Sequence, residues 1–431
     1  MALIVQKYGG TSVGDAARIR KVAERVVASV NRGQKICVVV SAMGQTTDEL
    51  LSLAAEMSAT PHARELDMLL TSGERISMAL LSMAIIELGH EAVSFTGSQA
   101  GIVTDTRHGK ARIVDVRAQR VLQALEEGKV AIVAGFQGVS TEFDVTTLGR
   151  GGSDTSAVAL AAALKADACE IYTDVDGVFT ADPRIIPEAR KLHAVSHEEM
   201  LELSAAGAKV LMLRSVEYAR NHGVLIHVRS SFTYEEGTWV REEDARMEQA
   251  IISSVAQDTS EAKVTILGVP DQPGVASRVF RPLADDGVNV DMIVQNASHD
   301  GRTDIFFTLP KEDLQRAGAL LQLIAKDVGA DDVQTDPDIA KVSLIGAGMK
   351  THPGVAADMF DALAEAGINI EIISTSSIRV SCVIRAGEVD RAVRAIHDRF
   401  ELSKEAVLRE QHPVTATDQL KALRTDDEVT T

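Results

Sequence analysis

The chain has 431 residues, 45% of them hydrophobic, and its 62 Asp and Glu outnumber its 44 Lys and Arg, for a formal net charge of −18. That is enough apolar sequence for two or three domains, and so acidic a balance excludes a nucleic-acid backbone as the main partner while leaving room for a small anion in one positive pocket. Wholly apolar runs such as Ala157 to Leu164 fall far short of the roughly 20 residues that span a bilayer, and the start MALIVQKY has neither basic leader nor cleavage site, so a cytoplasmic, non-membrane protein is expected.

An apolar strand, Leu3 to Gln6, opens the chain and leads through a glycine turn to a helical pattern over Asp15 to Val30 and a buried strand at Ile36 to Val40. The rhythm returns as a helix at Met78 to Leu88 before a strand at Ala92 to Phe95, Val114 to Glu126 before Val130 to Ala134, and Thr155 to Leu164 before Ala168 to Tyr172. Continuous apolar strands alternating with helices predict a mostly parallel sheet covered on both faces, an α/β unit over residues 1–245. Cys37, Cys169 and Cys382 lie far apart in apolar segments and read as reduced core residues. From Tyr234 to Met247 the composition turns charged and strand-poor, which marks a boundary.

Beyond it the chain repeats itself. Ala262 to Ser298 matches Ala340 to Ser377, setting Pro273-Gly274 on Pro353-Gly354, Gly287 on Gly367, Asn289 on Asn369 and Asp291 on Glu371. Each copy reads as a βαββαβ unit of ferredoxin-like type, its first helix entered at proline, where no N–H is needed, and closed at glycine, where positive φ is needed. The copies are placed at 246–336 and 337–408, and the opening strand of the first region is expected to be available to the second module. The polar stretch 409–431 reads as a flexible tail.

Three glycine-bearing segments carry chemistry. Lys7-Tyr8-Gly9-Gly10-Thr11-Ser12 follows a strand, so its backbone amides and lysine suit an anion; a plain strand-to-helix turn is the alternative. Thr147 to Ser156 leads into an apolar helix: its amides suit a phosphoryl group, Arg150 a carboxylate and Asp154 the organisation of nearby lysines, with Ser153 or Asp154 expected as N-cap as well. Thr173 to Arg184 stands at a strand's carboxyl end, where open α/β sheets place ligands; two consecutive turns would explain it equally. No Gly-x-x-x-x-Gly-Lys-Ser/Thr loop occurs, and His397-Asp398-Arg399 only scrambles the protein-kinase triplet. Gly346-Ala347-Gly348 lacks the third glycine of a dinucleotide fingerprint, and His193 and His197 read as surface histidines, so no metal site is expected.

Taken together, Lys7 to Ser12, Ser41-Ala42-Met43-Gly44, Ser72-Gly73-Glu74, Gly149 to Asp154 and Thr173 to Arg184 resemble the aspartokinase family, from about residue 2 to residue 405. The resemblance implies an amino-acid-kinase-like αβα sandwich followed by two ACT modules. It also implies transfer of the γ-phosphoryl of ATP, with Mg²⁺, to the β-carboxylate of L-aspartate, the first step toward lysine, threonine, methionine and isoleucine. By motif match, Lys7 with the Gly9 and Gly10 amides meets the transferring phosphoryl, Lys209 contacts ATP phosphates beside Val210, and Asp154 positions both lysines. Ser41, Thr47, Glu74, Arg150 and Ser153 bind aspartate, Glu74 taking its ammonium and Arg150 a carboxylate. Thr173, Asp174, Phe179, Asp182 and Arg184 line the nucleotide site, Phe179 standing where many relatives have Tyr.

The same resemblance assigns feedback inhibitors to the repeats. In the first copy it points to Asp271, Gln272, Pro273, Gly274, Val275 and Ala276, with Asn289, Asp291, Met292 and Gln295. In the second it points to His352, Pro353, Gly354, Val355 and Ala356, with Asn369 and Ile370. Lysine and threonine together are the expected effectors, because the first module resembles the concerted-feedback subgroup. In that subgroup an internal start near Met247 yields a separate β chain and an α₂β₂ assembly. The competing readings are a kinase of glutamate or a glutamate derivative and a catalytically silent amino-acid sensor; Glu74 and the tandem modules favour aspartate, and intact Lys7, Asp154 and Lys209 favour an enzyme. With only a short tail after the second repeat, no fused homoserine dehydrogenase is expected.

Overall fold

The computed structural model describes residues 1–243, 252–296 and 300–404. Met247 and the stretch 409–431 lie outside the described residues. The first unit runs β1 (Leu3–Tyr8), α1 (Ala16–Asn31), β2 (Lys35–Val40), α2 (Thr46–Met57), α3 (Ala63–Leu70), α4 (Ser72–Glu87), β3 (Ala92–Phe95), β4 (Ile102–Thr104), β5 (Ile113–Val116) and α5 (Gln119–Glu126). It continues with β6 (Val130–Ala134), β7 (Gln137–Ser140), β8 (Val145–Thr147), α6 (Gly152–Leu164), β9 (Ala168–Thr173), β10 (Ala194–Ser196), α7 (His197–Ala205), α8 (Leu213–His222), β11 (Ile226–Ser230) and β12 (Thr238–Arg241).

Eight strands form one sheet in the order β10-β12-β11-β9-β1-β2-β6-β3, every pairing parallel except β11 with β12. Strand side chains alternate between the faces. Val5, Cys37 and Val39 meet Val121 and Leu160 on one side, and Ile4, Ile36 and Val38 meet Val22, Val26, Leu81 and Ile85 on the other. The three cysteines are buried and free, and burial pushes the Cys37 and Cys382 thiols up to about 12.

Three expectations need correction here. Val114 to Glu126 is not one helix: the β-branched Ile113, Val114 and Val116 form β5, which joins a small sheet ordered β5-β4-β7-β8, and only Gln119–Glu126 is helical. The charged stretch after Tyr234 hides β12, whose buried Trp239 stacks on His227 at 3.8 Å. The 25-residue stretch Ala63–Glu87 has the length and apolar content of a membrane span, but it is half buried, breaks at Thr71, and packs Leu81 and Ile85 into the core. His197 is not a surface residue: it is buried, with Nε2 3.1 Å from the Val224 carbonyl.

The remainder runs β13 (Ser254–Asp258), β14 (Glu261–Pro270), α9 (Val275–Asp285), β15 (Ile293–Gln295), β16 (Arg302–Pro310), α10 (Lys311–Val328), β17 (Asp332–Asp336), β18 (Ile339–Ile345), α11 (Val355–Glu365), β19 (Ile372–Thr375), β20 (Arg379–Arg385) and α12 (Val389–Arg399). Its sheets are ordered β15-β16-β14-β17 and β13-β18-β20-β19. The second copy thus does not carry all six elements. Its described part ends on α12, and its fourth strand is β13, which precedes the first copy and lies antiparallel to β18. Pro273 and Pro353 stand one residue before the N-caps Gly274 (φ +90°) and Gly354 (φ +103°) rather than in the first turn, while Gly287 and Gly367 close the helices at φ +73° and +66°.

The repeat also dictates how its copies meet. Lys263 and Lys341 hold equivalent positions, as do Asp291 and Glu371, and the ion pairs cross: Lys263 binds Glu371, and Lys341 Nζ lies 2.5 Å from Asp291. Met292, Ile339, Ile372 and Val383 form a small apolar cluster between the modules. Lys341 is wholly buried and also reaches Glu261 at 3.0 Å. Burial opposes its charge, but Glu261 and Asp291 prevail and hold the ammonium above its usual value.

Candidate active site

Parallel strands β1, β2, β9 and β11 end at one edge, and hydrogen bonds lace their carboxyl ends together. Gly9 N donates to the Tyr172 carbonyl (3.3 Å), Ser41 N to Tyr8 (3.1 Å), Gly44 N to Gly10 (3.1 Å) and Ser231 N to Thr173 (2.9 Å). Gly10 cannot be replaced cheaply, because a Cβ there would stand 2.9 Å from the Ala42 carbonyl. The first glycine segment and the Ser41 to Gly44 turn thus form a tight backbone cradle at the edge where open α/β sheets bind ligands.

Lys7 and Asp154 meet in this cradle as a largely buried ion pair, 2.5 Å apart. Asp154 lies in the first turn of α6, whose N-cap is Gly151 at φ +69°, so neither Ser153 nor Asp154 is the cap. Ser153 is buried against Gly135, where a Cβ would sit 2.8 Å from its side chain. Gly152 N and Asp154 N are taken by the Gly149 and Gly151 carbonyls (2.9 and 3.1 Å), but through Asp154 the positive end of α6 stands beside the Lys7 ammonium, an arrangement that attracts an anionic group.

Glu74, in the first turn of α4, is buried. Burial pushes its carboxyl up to about 7, although the Ala42 N–H, 3.2 Å from Oε1, works against the shift. Its Oε2 has no hydrogen-bond partner among the described residues. A buried carboxylate oxygen left without a donor is costly unless a ligand supplies one. Ser41 is held nearby by Ser77 Oγ, which donates to its carbonyl at 2.6 Å, and Thr47 is part-exposed at the start of α2. Arg150 is exposed and makes no ion pair among the described residues, so both charges are free for a zwitterionic ligand.

The third segment is placed differently. Thr173 Oγ1 donates to Asp174 (3.0 Å), Phe179 bridges to Lys191, and Arg184 pairs with Asp182 at 2.6 Å. Lys209 is exposed in the loop after α7, beside part-buried Val210. No hydrogen bond or ion pair joins these residues to Lys7 or Asp154 among the described residues. Residues 179–180 and Gly207 are gripped instead by the second module. Ser254 Oγ donates to the Phe179 carbonyl (3.0 Å), Val255 N to Thr180 (2.8 Å), and His397 Nε2 lies 3.1 Å from Thr180 Oγ1. Gly207, at φ +103°, lies so close to β13 that a Cβ would stand 2.3 Å from the Gln257 carbonyl.

Sequence reasoning passed over the residues that make this junction. Glu199 caps its own helix through Ser196 and also accepts from Ser253 Oγ and from Ala347 N (3.2 Å) of the second module. Glu202 pairs with Arg379 (2.9 Å), and Lys341 Nζ donates to the Ala205 carbonyl (3.4 Å). Two signals were available: Ser196-x-x-Glu199 is a capping box, and a lysine inside the apolar strand AKVSLI requires buried acids.

Of the residues expected to bind effectors, Asp271 to Gly274, Ala276, Asn289 and Gln295 are exposed in the first module, and His352 to Gly354 and Asn369 in the second. Val355 and Ala356 are part-buried at the start of α11. Val275 and Met292 are buried in apolar clusters, and Asp291 is already engaged by Lys341, so these three hold structure together. Ile370 lines a cavity of about 330 Å³ between the modules, with Val294, Asn296, Phe306 and Glu371 to Ile373.

Comparison with known proteins bears on this arrangement. The profile of the amino acid kinase family matches residues 2–230, and ACT domain profiles match 263–329 and 342–400. The chain is 60% identical to an aspartokinase of Mycolicibacterium smegmatis over 407 residues, 93% of this chain and 97% of that protein. It is 59% identical to an aspartokinase of Corynebacterium glutamicum over 410 residues, 94% and 97% of the two chains. Among solved structures, E. coli aspartokinase III in complex with aspartate and ADP superposes with a TM-score of 0.80 at 25% identity, covering 92% of this chain and 99% of that one.

Proposed function

The chain belongs to the aspartokinases of the amino acid kinase family, and from that premise we propose that it transfers the γ-phosphoryl of ATP to the β-carboxylate of L-aspartate, giving 4-phospho-L-aspartate and ADP. The observation that carries the choice of acceptor is the orphaned Oε2 of Glu74. A primary ammonium supplies the missing donor and restores the charge that burial suppresses, and Arg150 is free to hold a carboxylate of the same molecule. The E. coli relative crystallised with aspartate and ADP supports the reading.

A carboxylate is already a nucleophile, so the reaction needs alignment and charge neutralisation rather than a general base. Lys7, held by Asp154, and the amide of Gly10 neutralise the phosphoryl oxygens as the bond to the leaving ADP breaks and the bond to the acceptor oxygen forms, while the Gly9 amide, which donates to the Tyr172 carbonyl, holds the turn in place. Lys209, Thr173, Asp174, Phe179, Asp182 and Arg184 line the nucleotide side. Among the described residues no group of three or more His, Cys, Asp or Glu is arranged to hold a metal. The Mg²⁺ that accompanies ATP would neutralise phosphate charge when bound. Lysine and threonine acting together are the proposed effectors, bound at the exposed loops of the ACT modules, and the chain is proposed to assemble into oligomers through those modules.

An ATP-dependent hydroxamate assay with L-aspartate and L-glutamate, each repeated with lysine, threonine and both, tests this. Aspartate turnover that falls sharply only when both amino acids are present is expected. Turnover of glutamate in preference to aspartate sinks the acceptor assignment, and full inhibition by one amino acid alone sinks the concerted scheme.

A further inference from the structure

The Gly149–Gly151 turn that carries Arg150 is braced from two sides by charged side chains that no role above uses. On one side stands Asp67 of α3, 1% exposed. It accepts from His108 Nδ1 (2.7 Å), from Gly109 N (3.1 and 3.2 Å to its two oxygens) and from Thr147 Oγ1 (2.5 Å). On the other side Arg214, in the first turn of α8, donates to the carbonyls of Leu148 (3.1 Å) and Ala111 (2.7 Å). Both grip the same two stretches of chain, 108–111 and 147–148, which Ala111 N and the Thr147 carbonyl also join at 2.9 Å.

Space at the turn is as restricted as its bonding. Gly149 has φ +78°, and a Cβ there would stand 3.1 Å from the Gly109 carbonyl; at Gly151 a Cβ would stand 1.9 Å from Met212 Cγ. Burial pulls the Arg214 guanidinium below its usual pKa. A buried carboxylate and a half-buried guanidinium that spend their bonds on backbone, a hydroxyl and an imidazole, rather than on each other, are poor devices for stability alone. What they fix is the direction of the one exposed residue between them.

We propose that Asp67 and Arg214 are positioning residues of the acceptor site, which clamp the Gly149–Gly151 turn so that the Arg150 guanidinium presents its donors to the acceptor carboxylate in one orientation. Fork-to-fork pairing of arginine with a carboxylate depends on the direction of the fork, so a loosened turn weakens acceptor binding without touching the nucleotide. The proposal rests on the reading of Arg150 as an acceptor-binding residue.

The test is steady-state kinetics on the full chain carrying Asp67→Asn, Arg214→Lys, Arg150→Ala and the double variant Asp67→Asn with Arg150→Ala. Asp67→Asn is expected to raise the KM for aspartate about tenfold while the KM for ATP stays within about twofold, and Arg214→Lys to raise the same constant less. In the Arg150→Ala background Asp67→Asn should add nothing, because it acts through Arg150. An unchanged aspartate KM in Asp67→Asn, an equal rise in both constants, or an additive effect in the double variant overturns the proposal. Should Asp67→Asn fail to fold, Thr147→Val removes one of the donors to Asp67 and is expected to give a smaller rise in the same constant, its absence counting against the proposal. Arg150→Ala separates the two readings: if it leaves the aspartate KM unchanged, the acceptor assignment of Arg150 falls and takes the proposal with it, whereas a raised KM there with none in Asp67→Asn sinks the positioning role alone.

Discussion

The two halves of the proposed site are built from different parts of the molecule. Ser41, Glu74 and Arg150, on the acceptor side, are held by neighbours within the kinase unit: Ala42, Ser77, Asp67 and Arg214. The segments proposed for the nucleotide share their walls with the second ACT module, through β13 and His397 against residues 179–180 and through β13 against Gly207. Effectors in the modules can therefore act on the nucleotide side without rearranging the acceptor side. By linkage, ATP should oppose inhibitor binding more than aspartate does.

Lys7 belongs to both halves and sets the upper limit of any effect. Lys7→Ala is expected to lower kcat about 100- to 1,000-fold, as loss of one charge-stabilising donor does in other active sites. The thermal midpoint should move by a few degrees at most and calorimetry should still detect aspartate binding; collapse of the transition would mean that the ion pair with Asp154 holds the fold rather than the phosphoryl.

The next effect in size belongs to the junction. Lys341→Met leaves Glu261 and Asp291 without the buried cation they share, and about 3 kcal/mol of stability should be lost in urea unfolding. Glu199→Gln keeps the shape of the side chain but turns an amide toward the donors of Ser253 and Ala347. Roughly 1 kcal/mol should be lost there, read as a several-fold weaker response to lysine plus threonine and a several-fold change in the KM for ATP. If the KM for aspartate shifts by the same factor, the two halves are not separate and the comparison fails.

How legible each half was follows from the same division. The parallel strands announced themselves as apolar runs, and the repeat pointed to both ACT modules, because patterning and glycine spacing are local signals. β5 and β12 were hidden because polar residues interleave with Val114, Val116, Trp239 and Val240. Motif matching picked out Glu74, but only burial reveals its orphaned oxygen and its raised carboxyl. The opening strand of the first region was expected to be available to the second module, and β13 does pair with β18, but the crossed pairs of Lys263 with Glu371 and Lys341 with Asp291 join residues 108 and 50 positions apart, to which no local pattern points.

The halves can also be separated without a substitution, by pH. Burial raises the Glu74 carboxyl from 4.5 to about 7, so between those values the folded chain binds more protons than the unfolded one, and Glu74 makes stability fall as pH rises across that window. Binding runs the other way. An ammonium prefers the ionised carboxylate, which makes up roughly a tenth of the free protein at pH 6 and nine-tenths at pH 8. The KM for aspartate should therefore fall by about tenfold between pH 6 and 8, while the KM for ATP, whose proposed contacts lie elsewhere, should not follow it. Glu74→Gln should flatten the aspartate profile at a uniformly weak level. A profile that survives the substitution would assign the titration to another group and leave the ammonium without its partner.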